Sequence, residues 1–203
     1  RFKKIKYFGS FWGMSKLKKL DLGNNPTLEC VFLKNVDVED DTIFENLNEI
    51  NVSKCKNLRV IDIEQAGEKF TELDLSSNDK LNSLGLEGLR GLKQLKMPET
   101  DNLKEIVVKE TALESLALEK YTKLDKVCVG GNQFNTLKIN MEQKTEKDIE
   151  NMYLLFDNNL KVEFISSKSG IVPNIKRLDN HNLWAGIVFS NYVVTDYEIP
   201  ECW

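Results

Sequence analysis

Histidine is almost missing from this chain, which holds one, His181, in 203 residues. Any site built on imidazole therefore has a single candidate, and its LDNHN setting with Asp179 places no nucleophile or metal-ligand spacing around it. Cysteine is scarce as well. Cys30, Cys55, Cys128 and Cys202 form no C-x-x-C pair and share no metal spacing with the histidine, so a metal centre is not expected and the thiols are read as mostly unpaired. No Gly-rich phosphate loop is present, and no pair of carboxylates stands out from the acidic surface residues. These gaps argue against an enzyme and against a bound cofactor. No apolar run approaches the roughly eighteen residues that cross a bilayer, and no segment has the order of a signal peptide. The first twenty residues lack acidic side chains altogether and carry seven basic ones, which leaves 21 basic against 32 acidic residues, or −11, for the remainder. The overall charge of −4 argues against nucleic acid as a partner.

What the chain does have is a period. Eleven stretches follow apolar-x-x-apolar-x-apolar at a spacing of about eleven residues: LKKLDL, LECVFL, LNEINV, LRVIDI, FTELDL, LNSLGL, LKQLKM, LKEIVV, LESLAL, LDKVCV and FNTLKI, from Leu17 to Ile139. Such regularity predicts a solenoid, in which each unit buries its apolar face only against its neighbours. An Asn-like position recurs in every second unit, at Asn25, Cys55, Asn78 and Thr100, and degrades to Tyr121. The true repeat is therefore about 22 residues with two apolar segments, as in FTELDLSSNDKLNSLGLEGLRG from Phe70 to Gly91. Only about five residues separate the segments, too few for an outer helix of about ten. Each coil is predicted to be two short strands joined by tight turns, stacked into two parallel sheets.

Side chains alternate across a strand, so Leu73 and Leu75 are predicted core and Glu72 and Asp74 exposed. The buried Asn would satisfy backbone groups of the turns above and below it; Cys55 would do so only weakly, making the second coil slightly irregular. By the same alternation the second segments would expose Cys30, Phe32, Val60, Asp62, Gly85, Val107 and Cys128, an apolar set for an outer wall, which suggests that something covers it.

Three regions depart from the period. Leu28 to Leu47 is longer than its fellows, and VDVEDDTIFEN within it suits a short helix with Asp40 or Asp41 at its start; Asp37, Glu39, Asp40 and Asp41 lack the bend-making Gly of a calcium loop. Upstream, FKKIKY from Phe2 fits the template, with FGSFWGM capping or extending that end. After Ile139 the period is lost. TEKDIENMYLLF reads as an amphipathic helix with Ile149, Met152, Tyr153 and Phe156 on one face and Thr145 as its cap. LKVEFIS and WAGIVFSNYVVTDYEI read as strands around a loop with Gly170, Pro173 and Asn174. The expected organisation is a solenoid over 1–140 and an irregular α+β cap, or small α+β domain, over 141–203. Trp184, Tyr192, Tyr197 and Trp203 suit a core or a sugar-stacking platform. Beginning at Arg1 suggests a processed or truncated chain, and ending on ECW suggests a natural terminus.

The coil consensus LxxLxLSxNxxLxxLxL resembles the bacterial leucine-rich repeats of about 21 or 22 residues of the internalin J-like cell-surface type. LDLSSNDKLNSLGL from Leu73 matches best, beside INVSKCKNLRVIDI from Ile50 and LDLGNNPTLECVFL from Leu20; the later coils and the last sixty residues depart from the pattern. The resemblance implies a leucine-rich repeat solenoid, display at a cell surface or secretion, and a concave face formed by the strand that precedes the Asn. On that face the candidate binding residues are Asp21, Glu49, Asn51, Glu72, Asp74, Gln94 and Lys96, and the acidic members would meet a basic or polar partner. The expected function is non-catalytic recognition of a protein or glycan, without cofactor or metal, and the alternative is a structural spacer of a larger surface protein.

Overall fold

A unit of eleven residues with two inward apolar side chains leaves room for one short strand and one turn, and strands one coil apart must then run parallel. The computed structural model describes residues 5–10, 14–34, 44–165 and 173–178, and these form a parallel β-solenoid. In chain order its first strands are β1 (Tyr7–Ser10), β2 (Lys19–Asp21), β3 (Cys30–Leu33), β4 (Glu49–Asn51), β5 (Val60–Glu64), β6 (Glu72–Asp74), β7 (Ser83–Glu87) and β8 (Gln94–Lys96). Then come β9 (Glu105–Lys109), β10 (Lys126–Gly130), β11 (Thr136–Asn140), the helix α1 (Glu146–Asn151), β12 (Tyr153–Asp157), β13 (Lys161–Ile165) and β14 (Ile175–Leu178).

The second segment of each coil builds one continuous sheet of eight strands, in the order β1-β3-β5-β7-β9-β10-β12-β14. Its register stacks like on like. Val31, Ile61, Leu84, Ile106, Val127 and Leu154 form one inward column, and Leu33, Ile63, Leu86, Val108, Val129 and Phe156 the next. Every member of both columns is at most 1% exposed. Each such Leu or Phe is worth about 1.5–3 kcal/mol when removed from water, and none is removed without the coils on either side.

The first segments behave differently. The sequence predicts a second continuous sheet, but these strands pair only two by two, as β2-β4, β6-β8 and β11-β13, with Leu118 bridging singly to Ile139. Cross-strand charge agrees with the β2-β4 and β6-β8 pairs and with the break between them. Lys19 lies opposite Glu49, and Asp74 opposite Lys96. Between β4 and β6 the corresponding positions hold Glu49 and Glu72, and like charges placed opposite one another destabilise pairing.

The C-terminal reading needs correction. The coils continue past Ile139: β12 pairs with β10, β13 with β11 and β14 with β12, all parallel and in register. TEKDIENMYLLF is not one helix. Thr145 does cap α1, accepting from the Asp148 amide while the Asp148 carboxylate accepts from the Thr145 amide, but the helix stops at Asn151. Tyr153, Leu154 and Phe156 then enter the long sheet, because the strand period of two places Leu154 and Phe156 in the two inward columns, a gain that a six-residue helix cannot match. At the other end the first described strand, Tyr7–Ser10, begins on the last residue of FKKIKY and runs into FGSFWGM, the segment read as capping or extending that end. Asp37, Glu39, Asp40, Asp41, Phe11, Trp12, His181, Trp184, Tyr192, Tyr197, Cys202 and Trp203, with the WAGIVFSNYVVTDYEI stretch, lie outside the described residues.

Inside the coils, the Asn-like position is a hydrogen-bond ladder. Asn78, fully buried, donates its amide to the Val52 and Cys55 carbonyls of the preceding coil at 3.0 and 3.1 Å. Cys55 does the same with its thiol, 3.1 Å from the Leu22 carbonyl. Tyr121, also fully buried, reaches the Pro98 carbonyl at 2.7 Å with its hydroxyl. Thr100 breaks the series by turning to the Asp79 carbonyl. Three chemistries thus serve one geometric need, which is to give buried turn carbonyls a donor.

Candidate functional site

The candidate face is the outward side of the first-segment strands. In β6 the alternation is as predicted: Leu73 and Leu75 are core, Glu72 and Asp74 exposed. The structure brings the candidate residues together in two groups rather than one row. In the first, Lys19 pairs with Glu49 at 2.6 Å, and the Asn51 amide donates to Asp21 at 2.9 Å. In the second, Lys96 holds Glu72 at 2.6 Å and Asp74 at 3.5 Å, with Gln94 opposite Glu72. The acidic cluster is therefore largely neutralised from within, by lysines that the sequence placed in the same face but did not show to be partners.

Three candidates also have a local duty. Asp21, Asn51 and Asp74 each end a strand and accept a hydrogen bond from the amide two residues on, at Gly23, Ser53 and Ser76 respectively. Asn140 does the same for Glu142 in a later coil. This Asx turn redirects the chain into the next segment. The Ser76 hydroxyl and amide are the main reason that Asp74 titrates below the ordinary carboxylate range, with Lys96 adding to the effect. The hydrogen bond and charge of Glu72, with Asp74 behind them, hold the Lys96 ammonium above its ordinary value.

The outer side of the long sheet differs from its predicted exposure. Cys30, Val60 and Cys128 are fully buried, Val107 and Asp62 nearly so, and only Phe32 and Gly85 are half-buried. Val107, Cys128 and Leu155 pack with Tyr153 as a second apolar cluster outside the main core. Burial raises the Cys30 thiol pKa to about 11 and that of Cys128 to about 12, so neither is a nucleophile at neutral pH.

Between these apolar stretches lies a charged group whose members come from two different coils. Lys34, nearly buried, sits 2.6 Å from Asp62 and 3.0 Å from Glu64. Asp62 has its space because its register partner is Gly85, where a Cβ would stand 2.5 Å from the Asp62 carboxylate. Burial pushes the carboxyl groups of Asp62 and Glu64 up, against the pull of Lys34. Burial also works against the Lys34 cation, but the two carboxylates outweigh it and hold its pKa above the ordinary value. Lys109–Glu87 and Lys126–Glu105, at 2.7 and 2.6 Å, continue the pattern, and Ser83, Gly85, Glu87, Glu105 and Lys126 line a recess of about 20 Å³ together with Lys34 and Asp62. That volume has room for about one water. The signal for this group was the lone Gly in LGL, aligned one coil from the lone Asp in IDI. Compared with known protein families and with curated proteins, the chain has no significant match.

Proposed function

We propose that the chain is a non-catalytic binding module of the internalin J-like leucine-rich repeat kind, working outside the cell or at a bacterial surface. Its outward first-segment face, with Asp21, Glu49, Asn51, Glu72, Asp74, Gln94 and Lys96, holds a protein or glycan ligand. The observation that carries this reading is the exposure of that face: Glu49, Glu72, Asp74 and Lys96 keep roughly half of their side chains in solvent, whereas the outer side of the long sheet is mostly buried. Internal pairing changes the ligand expected there. A face of paired charges, amides and strand-end carboxylates suits a polar partner bound through hydrogen bonds more than a strongly basic one bound through net charge.

A spacer is the second reading, and the same ion pairs favour it, since a face whose charges satisfy one another is well solvated without a ligand. A binding screen against glycans and extracellular proteins separates the two. It uses the parent chain, Glu72→Lys/Asp74→Lys, and Glu72→Gln/Asp74→Asn, which keeps an Asx-turn acceptor at position 74. A ligand lost with both variants at unchanged melting temperature establishes the face as the site. A ligand that survives both removes this site, and no ligand at all leaves the spacer.

A further inference from the structure

Three ionisable side chains meet on the outer side of the long sheet where little water reaches them. Strand alternation turns Lys34, just past β3, and Asp62 and Glu64 of β5 to that side, and the Leu33–Ile63 register sets them side by side. The Lys34 Nζ stands 2.6 Å from an Asp62 carboxylate oxygen and 3.0 Å from one of Glu64. The Lys34 and Asp62 side chains are each 9% exposed, and that of Glu64 is 25% exposed. Gly85 bounds the Asp62 carboxylate from the next coil, so closely that a Cβ there would stand 2.5 Å away. An amine nitrogen is thus held against one carboxyl group, with a second carboxyl group within reach of the same nitrogen.

Other lysines show what is particular to this place. Lys96 also meets two carboxylates, Glu72 and Asp74, but all three side chains are about half in solvent, where water keeps them ionised. Lys109 and Lys144 are buried, and each meets a single carboxylate among the described residues, Glu87 and Asp125. At Lys34 burial and two carboxylates coincide. Burial is the leading influence on all three groups of the cluster and opposes the charged form of each. Two carboxylates around one ammonium leave a net negative charge, and burial raises both carboxyl groups, so one of them takes up a proton more readily than a carboxylate in water. Once it has, much of the pull that holds the Lys34 proton is gone.

We propose that Lys34 and Asp62 are a self-modification site: the chain joins them in an intramolecular isopeptide bond, with Glu64 as the proton carrier, and the ion pair is the precursor. With the Asp62 carboxyl protonated, the Glu64 carboxylate takes one proton from the Lys34 ammonium. The neutral nitrogen attacks the Asp62 Cγ, and a C–N bond forms. Glu64 gives its proton to the departing hydroxyl, the C–O bond breaks and water leaves. Glu64 then takes the second proton from the nitrogen and returns it to solvent, which leaves an amide. No oxidant or reductant is needed, and the recess of about 20 Å³ lined by the same three residues has room for the released water. Condensation of a free amine with a free acid lies uphill in water. Two groups held in reacting geometry act at an effective concentration on the order of 10⁵–10⁸ M, and the product carries no buried charge on either partner. The bond ties β3 to β5 and closes the chain between residues 34 and 62 into a covalent loop, which restricts the unfolded chain. It stands whether or not the first-segment face binds a ligand.

Intact mass spectrometry of the denatured parent chain, followed by tryptic mapping, tests this directly. The folded chain is expected to lose the mass of one water. Trypsin does not cut after an acylated lysine, so the peptide Leu20–Lys54 should stay whole and be joined to Val60–Lys69. Lys34→Arg keeps a cation that does not give up its proton and should retain the full mass. Glu64→Gln should link roughly a hundredfold more slowly, and so remain unlinked when the parent is complete. The half-exposed trio Lys96, Glu72 and Asp74 is the internal control and should stay unlinked. A parent chain that keeps its full mass after prolonged incubation in the folded state overturns the proposal, whatever the variants do. So does a loss of water with the two peptides separate, which marks an imide at a single Asp, or a bridge that maps to Lys96. A Glu64→Gln chain that links as fast as the parent removes Glu64 as the proton carrier and with it the mechanism.

Discussion

Replacing Asn78 by Ala should weaken the solenoid by about 2 kcal/mol, and the sum follows from its contacts. The side chain donates two hydrogen bonds to the preceding coil, each worth about 1 kcal/mol net. Both acceptors keep one other bond, Val52 O from the Cys55 amide and Cys55 O from the Leu58 amide, so neither carbonyl is orphaned. Truncation also removes the Asn78 side-chain oxygen, which is buried without a partner among the described residues, and so returns about 1 kcal/mol. A cavity at a fully buried site takes about that much back. For a chain of this length, 2 kcal/mol corresponds to a drop of roughly 4–8 °C in melting temperature. The sharper comparison is Asn78→Asp, nearly the same shape, which turns the two donors into an acceptor facing two carbonyls. It should cost more than Ala at pH 7, and the gap should narrow as pH falls, because burial raises the folded-state pKa of such a carboxyl and acid then favours the folded state. Urea unfolding of the three proteins at pH 7 and pH 5 reads both effects. If Asn78→Ala melts with the parent, or Asn78→Asp is no worse than Asn78→Ala, the ladder is not what holds these turns.

Three further outcomes test other parts of the structure. Gly85→Ala drives a methyl group into the Asp62 carboxylate and should cost about 1–3 kcal/mol in urea unfolding; in an Asp62→Ser background the same change should cost markedly less. Lys34→Met leaves Asp62 buried without its cation and should cost about 3–5 kcal/mol at pH 7. Burial already holds the Asp62 pKa above its unfolded value, so the folded state binds this proton the more tightly, and the deficit relative to the parent should shrink as pH falls toward the ordinary Asp range. Finally, in a Cys202→Ser chain the buried thiols Cys30, Cys55 and Cys128 should resist a disulfide reagent at pH 8 until the protein unfolds; fast labelling of the native chain would contradict their burial and raised pKa values.

Legibility in the sequence followed regularity. Leu73, Leu75 and the exposed pair Glu72 and Asp74 could be placed from LDL alone, because in a strand the side-chain period is two whatever the neighbours are. The strand Tyr153–Asp157 could not. Met152, Tyr153 and Phe156 also satisfy a helical spacing over a short window, and only the vacant place beside β10 decides between the two. The candidate face was legible as a list of outward residues and illegible as a site. Which lysine neutralises which carboxylate depends on which coils pair, and Lys96 reaches Glu72 and Asp74 from a different coil.

The sequence by itself determined the parallel coil, its inward columns and the buried position at Asn78, since each is a consequence of a repeated spacing and repetition is a property of one dimension. Tertiary structure alone decided the rest. The long sheet stays continuous while the described first segments pair only two by two, and Asp62 finds its space over Gly85. Each of these depends on what a residue meets one coil away, a neighbour fixed by register and not by position in the chain.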